Sequence, residues 1–396
     1  MHLNSNPTEQ KSTFDGLRVA IVHYWFVSLG GGEKVVESLL ELFPQADLFA
    51  LVVDPESLPV SLKGRDIKTS FLQRLPFARK YHRHFLPLYP LALENLDLGG
   101  YDLVISSESG PAKGVLTSST TCHVCYCHSP MRYLWDMYSE YTRQMSPIVR
   151  TVYSLLSPRL RLWDLATASR VDFFIANSNF VARRIRKQYR RSSSVIHPPV
   201  DVSKGTAQNA PGEFFLCVGR LVGYKRVDLA IEACNRLGRR LRIVGDGPLF
   251  KQLKRLSGPT IEFAGVLSES ELCDSFARSR ALLFPGEEDF GIVPVESQSY
   301  GRPVIAYRSG GSLETVRGLS PGDDFVDSCT GIFFEKQTVS DLVDAISRFE
   351  RYESQFCPDT IRDFSLQFAS ARFKTEITQF ITSRYDQFKN SGPPEH

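Results

Sequence analysis

Hydrophobic and polar positions along the chain follow two alternating patterns. Short runs rich in branched apolar residues indicate buried strands, and between them apolar residues recur at helical spacing. The first strand is predicted at residues 17–22, followed by three glycines at 30–32 and helical spacing over 33–42. Strands alternating with helices predict a mostly parallel sheet covered on both faces. Further strands are predicted at 48–53, 101–106, 124–126 and 171–177, and a basic helix at 179–189.

The same alternation restarts after a break. His197-Pro-Pro-Val-Asp201 and the polar stretch to Gly212 are typical of a linker. Beyond it a helix is predicted at 227–237, and apolar positions over 364–388 predict one closing helix. We therefore predict an α/β protein with two doubly wound, Rossmann-like domains, residues 1–198 and 199–363, and a closing helix and tail at 364–396. The strands predicted in the second half are 214–218, 241–244, 261–264, 281–284 and 303–306.

Size and composition agree with two soluble domains. The chain has 396 residues, of which 42% are hydrophobic and 23% are charged. It contains no apolar run of the ~18 residues that a membrane-spanning helix needs. Residues 1–15 are polar and lack the apolar core of a signal peptide, so we expect a cytoplasmic protein.

The net charge of +3 hides an asymmetry between the two halves. Residues 1–197 carry 23 Lys and Arg against 17 Asp and Glu, whereas the remaining residues carry 24 against 27. The positive excess lies in two patches, Lys63 to Arg83 and Arg183 to Arg191. Such patches attract phosphates, nucleic acid or anionic lipid, and charge alone does not choose among these partners.

Three of the eight cysteines cluster at Cys122, Cys125 and Cys127, directly before His128. The spacing resembles half of a metal site. However, the segment has strand character, and no second cysteine pair lies at the spacing of a zinc ribbon. Buried strand cysteines are therefore favoured over a metal, and no metal or other cofactor is expected.

The most specific chemical signal is the segment from Glu288 to Glu296, which places two carboxylates eight positions apart around Gly291. Pro294 favours a helix start, so we expect Glu296 in the first turn and unpaired backbone N–H groups near Gly291. Such donors between two carboxylates can bind hydroxyl groups or an anion. Capped surface acids are the alternative, but the position after a strand of an α/β sheet favours a ligand site.

Two cations form a second candidate site. Arg220 and Lys225 follow the strand at 214–218 and precede the helix at 227–237. Positive charge at a helix N-terminus can neutralise a diphosphate, and arginine can do so with two parallel hydrogen bonds. A solvated basic loop is the alternative interpretation.

Together these motifs resemble glycosyltransferase family 4, whose retaining members have a Glu-x7-Glu signature and the GT-B fold. The likeness extends over about residues 17–380. It implies two Rossmann-like domains that face each other across a cleft, with acceptor binding in the first and nucleotide-sugar binding in the second. The segments that carry it are Glu288 to Glu296, Val218 to Asp228, Ile243 to Pro248, Ser309 to Val316, Gly30 to Glu37 and Tyr126 to Asp136.

The resemblance implies roles for individual residues. Arg220 and Lys225 would stabilise the departing nucleotide diphosphate, Glu296 would bind the ribose, and Glu288 would lie beside the transferred sugar. A lone histidine is more often structural, but the likeness places His128 towards the donor sugar. The remaining donor-binding residues that it implies are Gly31, Gly32, Gly219, Asp246, Val266, Phe290, Gly291 and Ile292. One departure is Tyr24, since related sequences often have an acid there.

The likeness to bacterial mannosyltransferases of exopolysaccharide or O-antigen assembly makes GDP-mannose the first expected donor, with UDP-sugars still open. We expect transfer with retention and without a metal, to a lipid-linked oligosaccharide acceptor on a polyprenyl diphosphate. Cations interleaved with apolar residues over 69–89 fit an anionic membrane surface, and Val149 to Trp163 is a second candidate segment. Core helices with solvated cations fit both segments equally well. A nucleotide-sugar epimerase and a non-catalytic nucleotide-sugar-binding protein are the alternatives. No base-reading motif accompanies the basic helix, so nucleic acid is not expected as a partner.

Overall fold

The computed structural model describes residues 14, 16–27, 30–143, 145–207 and 212–392. The chain divides into two compact units. The first contains the residues up to Ala176, Arg184–Ser194 and the residues from Lys374 onward, and the second contains Asn177–Arg183 and Val195–Phe373. These limits differ from the predicted domain limits because two helices, at residues 179–189 and 370–391, each contribute residues to both units.

The first sheet has seven strands in the order β3-β2-β1-β4-β5-β6-β7. Strands β1 to β6 pair in parallel. Apart from the edge strand β3, their residues are mostly buried, as expected for a sheet covered on both faces. The direction of winding reverses between β1 and β4, and such a reversal opens a crevice at the carboxyl ends of the strands. The strands are β1 Val19–Phe26, β2 Asp47–Val53, β3 Ile67–Thr69, β4 Leu103–Glu108, β5 Cys122–Cys127, β6 Phe173–Ala176 and β7 Ser194–Val195.

The second sheet repeats this plan. Its order is β10-β9-β8-β11-β12-β14-β13, all its strand pairs are parallel, and the winding reverses between β8 and β11. The predicted pair of doubly wound α/β domains is therefore confirmed. The strands are β8 Phe214–Val218, β9 Leu241–Val244, β10 Ile261–Gly265, β11 Ser279–Phe284, β12 Val304–Tyr307, β13 Gly318–Leu319 and β14 Gly331–Phe334.

Amphipathic helices cover the sheets. The core of the second unit packs α7 and α12 against the sheet through residues such as Ile231, Leu342 and Phe349. The helices of the first part are α1 Gly31–Leu42, α2 Ala78–Tyr81, α3 Tyr89–Glu94, α4 Tyr138–Arg143, α5 Pro147–Ala168 and α6 Asn179–Tyr189. The later helices are α7 Val227–Leu237, α8 Phe250–Leu256, α9 Glu269–Ala277, α10 Ile292–Ser299, α11 Ser312–Thr315, α12 Val339–Tyr352, α13 Pro358–Leu366 and α14 Ser370–Ser391.

The prediction of one closing helix over 364–388 is wrong. The segment belongs to two helices, α13 and α14, with a break at residues 367–369. Phe368 lies in this break and is buried against Phe290 and Val295, while Val200 bridges to Ala369. Helical spacing of the phenylalanines continues across the break, so the pattern alone does not reveal it.

Candidate functional site

The reversal point of the second sheet brings together two predicted catalytic residues. Lys225 follows β8 and Glu288 follows β11, and these strands are neighbours. The Nζ atom of Lys225 lies 2.7 Å from Oε1 of Glu288, and their side chains are 15% and 19% exposed. Both residues line a pocket together with Gly219, Gly286 and Phe284. An ion pair that is partly open to solvent can exchange partners with an incoming anion.

Two glycines allow this close arrangement. Gly219 has φ of +139°, and a Cβ atom there would lie 2.7 Å from Nζ of Lys225. A Cβ on Gly286 would lie 2.7 Å from Cα of Lys225, which is too close for any larger residue. The lysine loop therefore packs directly on the backbone of the loop that carries Glu288.

Arg220 has a different environment from Lys225. Its side chain is exposed, and within the described parts of the chain it makes no hydrogen bond or ion pair. Lys225 belongs to a short 3-10 turn, Gly223–Lys225, that precedes α7. Both cations thus follow β8 as predicted, but only Lys225 is held against an acidic partner.

The acidic segment differs from the prediction in the position of its helix. Helix α10 begins at Ile292, so Pro294 is its third residue and Glu296 lies in the second turn rather than the first. Gly291 is the N-cap with φ of +95°, and no side chain of the described residues caps this helix end. Backbone donors at Ile292 and Val293 are therefore available to a ligand, as the sequence predicts for this segment.

The remaining predicted donor-binding residues occupy varied environments. Phe290 is buried against Val295 and Phe368, so its side chain belongs to the core and only its backbone can reach a ligand. Asp246 and Val266 lie in the exposed loops that follow β9 and β10, at the same edge of the sheet as Lys225.

Glu314 lies in the predicted segment Ser309 to Val316, but its role is not evident from the sequence. The carboxylate accepts hydrogen bonds from the backbone N–H groups of Asn179 and Phe180 at 2.9 and 3.2 Å, and lies 2.9 Å from Nε2 of His197. Burial alone would raise the pKa of Glu314, but these hydrogen bonds, led by that of His197, lower it. The same loop donates a backbone hydrogen bond from Gly311 to the carbonyl of Glu288, 2.8 Å away, and so holds the acidic segment.

In the first unit, the reversal point lies between β1 and β4, and His128 directly follows the neighbouring β5. Nε2 of His128 shares a hydrogen bond of 2.9 Å with Oγ of Ser107, which lies 3.3 Å from Nδ1 of His23. Desolvation, together with nearby His23, lowers the pKa of His128 to about 3. His128 is therefore a neutral imidazole near pH 7, with one donor and one acceptor nitrogen.

The glycines at the start of α1 lie against this histidine pair. Gly31 and Gly32 are the first two residues of the helix. A Cβ on Gly32 would lie 3.1 Å from the Tyr24 hydroxyl and 3.5 Å from Nε2 of His128. Glu33, in the same helical turn, is buried with its Oε1 3.8 Å from Nε2 of His23. His23, Ser107 and Glu33 escaped sequence reasoning because each is an ordinary strand or helix residue until the sheet is assembled.

A separate, fully buried ion cluster lies next to this site. Nζ of Lys113 contacts Asp164 and lies 3.5 Å from Glu108, and none of the three side chains is exposed. Asp164 also accepts hydrogen bonds from Trp135 at 2.7 Å and Tyr189 at 3.0 Å. Burial raises the pKa of Glu108 to about 7, although Lys113 opposes this shift. All the charges of this cluster are satisfied within the core, which indicates a structural role.

The cysteines and basic patches also have structural explanations. Cys122, Cys125 and Cys127 are buried in β5, as predicted, and no cluster suited to a metal ion occurs among the described residues. In the second basic patch, Arg184 pairs with Asp136 and Arg191 donates to backbone carbonyls. Arg184 and Arg191 thus already have partners within the first unit.

Two further observations concern localisation. Across the described ranges, no helix is both long and apolar enough to cross a membrane. The sequence prediction that there is no signal peptide rests on residues 1–15. Apart from Phe14, these residues lie outside the described residues.

Two family models match the chain, one for each half. The model described as Glycosyltransferase Family 4 matches residues 29–204, and the model described as Glycosyl transferases group 1 matches residues 202–359. Their boundary falls within the predicted linker. Together they cover most of the chain, including every motif on which the resemblance rested.

Individual proteins are also similar to this chain, two in sequence and one in fold. An alpha-1,3/1,6-mannosyltransferase of Saccharomyces cerevisiae is 25% identical over 80% of this chain and 74% of its own length. The O-antigen chain mannosyltransferase C of Escherichia coli is 24% identical over 61% of this chain and 70% of its own. The crystal structure of an Anabaena protein with UDP and glucose has a TM-score of 0.69 at 16% identity, covering 92% of this chain and 100% of that one. The chain is accordingly a glycosyltransferase of family 4 with the GT-B fold.

Proposed function

We propose that this enzyme transfers a hexosyl group, most specifically mannose from GDP-mannose, to a lipid-linked acceptor with retention of anomeric configuration. The observation that carries the proposal is the Lys225–Glu288 pair, 2.7 Å apart at the reversal point of the second sheet. A cation and an acid held there match the two needs of the donor, since its diphosphate is anionic and its sugar offers hydroxyl donors.

In the proposed reaction, the bond between the anomeric carbon and the diphosphate breaks first. Lys225, Arg220 and the backbone donors at the start of α10 stabilise the negative charge that develops on the leaving phosphate. The acceptor hydroxyl attacks the oxocarbenium-like sugar from the same face, and the leaving phosphate takes its proton. Glu288 orients the sugar hydroxyls, and Glu296 binds the ribose of the donor.

This mechanism needs no divalent metal, because protein cations carry the leaving-group charge. A chelator should therefore leave turnover unchanged. A strict requirement for Mg²⁺ would count against this part of the proposal.

The relatives favour mannose as the transferred sugar, because both the yeast and the Escherichia coli proteins are mannosyltransferases by name. A thermal-shift panel of GDP-, UDP- and ADP-sugars tests the donor, since only a bound ligand raises the apparent stability by mass action. We expect GDP-mannose to give the largest shift. A larger shift with a UDP-sugar would replace the donor but leave the transferase proposal intact.

A transferase also has to be distinguished from the alternative activities. Incubation of the donor without an acceptor should give at most slow hydrolysis. A new nucleotide-sugar in that incubation would indicate an epimerase. Donor binding without turnover across lipid-linked acceptors would indicate a non-catalytic binding protein.

The proposed acceptor is an oligosaccharide on a polyprenyl diphosphate in bacterial surface polysaccharide assembly, and α5 supports a membrane location. Its outward face carries Ile148, Leu155 and Leu162, which are 79%, 73% and 68% exposed and seven residues apart. Exposed aliphatic residues at helical spacing are typical of a helix that lies in a lipid interface. The ionic side chains exposed on this helix are Arg150 and Arg159, since its single acid, Asp164, is buried.

The first predicted membrane patch, Lys63 to Arg83, is a weaker candidate by comparison. Lys68 pairs with Asp47 at 3.1 Å, Arg79 lies 3.6 Å from Asp54, and Arg65 donates to backbone carbonyls. These cations have partners within the first unit. We therefore assign the contact with the anionic membrane surface primarily to α5.

Liposome co-sedimentation tests this assignment. Leu155→Glu combined with Leu162→Glu should abolish binding to vesicles that contain phosphatidylglycerol, whereas Leu256→Glu, an exposed leucine on α8, should not. Equal binding of wild type to neutral phosphatidylcholine vesicles would show that electrostatic attraction does not contribute to membrane binding. Unchanged binding of the double variant would overturn the assignment.

A further inference from the structure

A chain of polar side chains links the start of α1 to His128 through the interior of the first unit. The carboxylate of Glu33 lies 3.8 Å from Nε2 of His23, and Nδ1 of His23 lies 3.3 Å from Oγ of Ser107. Oγ of Ser107 lies 2.9 Å from Nε2 of His128. The sheet aligns this chain, because the parallel register of β1 and β4 sets His23 directly beside Ser107.

The first three members of this chain have little access to water. His23 and Ser107 are completely buried, and Glu33 is 5% exposed. Nε2 of His23 is buried without a hydrogen-bond partner among the described residues, and Glu33 is the acid that faces it. A buried nitrogen beside a buried carboxylate is stabilised when it carries a proton and points it at that carboxylate.

The donor and acceptor roles along the chain then follow in order. A carboxylate only accepts hydrogen bonds, so the His23 tautomer that suits Glu33 has its proton on Nε2 and an acceptor at Nδ1. The Ser107 hydroxyl must donate to that acceptor. Its oxygen is then left to accept from Nε2–H of His128, which makes Nδ1 of His128 an acceptor.

The acceptor nitrogen of His128 is available for a ligand. Of its two ring nitrogens, Nε2 bonds Ser107, and no described residue forms a hydrogen bond with Nδ1. The backbone N–H of His128 donates to the carbonyl of Glu108 at 2.6 Å, which fixes the residue at the end of its strand. An imidazole with a fixed tautomer and an acceptor nitrogen can receive a hydrogen bond from a sugar hydroxyl.

We propose that Glu33 and His23 are positioning residues that act through the Ser107 hydroxyl to hold His128 as its Nε2–H tautomer, with Nδ1 presented to the substrate. The contact between His128 and a sugar hydroxyl rests on the proposed function. The tautomer itself is a property of the protein without ligand.

The direct test is the tautomer of His128 in the full-length protein, labelled with ¹⁵N-histidine and examined by long-range ¹H–¹⁵N correlation spectra. Signals of His23 and His128 are assigned from spectra of His23→Asn and His128→Asn. We expect a single Nε2–H tautomer for His128 in the wild type. A wild-type spectrum with the proton on Nδ1 overturns the proposal whatever the variants do.

Two variants test the origin of the tautomer. Glu33→Gln removes the charge with little change of shape, and Ser107→Ala removes the relay hydroxyl. Both should convert His128 to a mixture of tautomers, whereas Glu41→Gln, the same change at an exposed position of α1, should leave the spectrum unchanged. An unchanged His128 spectrum in correctly folded Glu33→Gln contradicts the role of Glu33.

Kinetics separate positioning from stability. Ser107→Ala should lower kcat about tenfold or more with a much smaller change in KM, because loss of a supporting hydrogen bond misorients the group that it holds. A change in thermal stability alone, with kcat unchanged, would indicate a structural hydrogen bond. Since the spectra need no substrate, a wrong donor in the assay would leave the tautomer result standing.

Discussion

Two lysine–glutamate pairs of this enzyme occupy comparable positions in the two sheets and differ in what surrounds them. Glu108 ends β4 and Lys113 follows it, while Lys225 follows β8 and Glu288 follows β11. All four residues therefore lie at strands that flank a reversal point. In the first pair both side chains are fully buried, whereas in the second they are 15% and 19% exposed beside a pocket.

The difference leads us to propose that accessibility, and not charge, separates the pair that stabilises the fold from the pair that binds the donor. Lys113 has two carboxylates around it, and Asp164 has further donors in Trp135 and Tyr189, so the cluster is complete. The Lys225–Glu288 pair retains contact with solvent, which the approach of the proposed diphosphate requires. The first pair should therefore control folding and the second turnover.

The largest expected effect is on the stability of the first unit. Lys113→Met leaves Glu108 and Asp164 buried without their cation, and removing one partner of a buried ion pair typically costs ~3–5 kcal/mol. We expect the free energy of unfolding, measured by urea denaturation, to fall by about that amount. Lys63→Met, at an exposed lysine of the same unit, should have little effect. Similar stability of the two variants would show that the buried cluster is not needed for folding.

The next effect concerns turnover rather than stability. Lys225→Met removes a charge-stabilising donor from the leaving group, which typically costs ~2.7–4 kcal/mol, or about 10²–10³-fold in kcat. The melting temperature should change little, since Lys225 is partly exposed. Lys251→Met, at an exposed lysine of α8, is the matched control. Wild-type turnover in Lys225→Met would remove this lysine from the mechanism.

A smaller loss is expected at Arg220. Its exposed side chain has no partner among the described residues, so in the proposed mechanism it acts only once the donor is bound. Arg220→Ala should lower kcat more than tenfold, which corresponds to a rise of more than ~1.4 kcal/mol in the activation free energy. Arg220→Lys should recover part of this loss because it restores the charge without the bidentate geometry. Equal rates in wild type and Arg220→Ala would contradict the assignment.

The most subtle effect is a pH dependence of stability. Glu108 has a pKa of about 7 in the folded protein against a reference value of 4.5, so between these values the folded state holds a proton that the unfolded chain has released. The contribution of Glu108 to stability therefore falls as pH rises through this window, by at most ~1.4 kcal/mol per pH unit. Glu108→Gln should flatten the slope of unfolding free energy between pH 5 and 7, and Glu41→Gln should not. Identical slopes in wild type and Glu108→Gln would contradict the raised pKa.

Much of this architecture was predictable from local pattern. The strand at Phe214–Val218 and the helix at Val227–Leu237 occupy the residues that apolar periodicity predicts. The acidic segment at Glu288 was recognisable because its spacing is unusual and the segment follows a strand. The candidate site residues of the second unit lie within its sequence motifs, so residue type and spacing indicate them before the structure is known.

Other features depend on contacts between distant segments. The break between α13 and α14 was missed because Phe368 keeps its helical spacing while packing on Phe290. Glu314 was not recognised as a helix-capping residue because Asn179 is far away in sequence.

The sequence by itself determined the two doubly wound sheets, the family, and the identity of Lys225 and Glu288 as a cation and an acid that follow strands of the second sheet. These follow from periodicity and residue type, which are local properties of the chain. Only the tertiary structure decided which lysine is sealed in the core and which is accessible, and that His23, Ser107 and Glu33 line up behind His128. Burial and hydrogen-bond partners arise when β1, β4 and β5 come side by side, and no local pattern encodes that alignment.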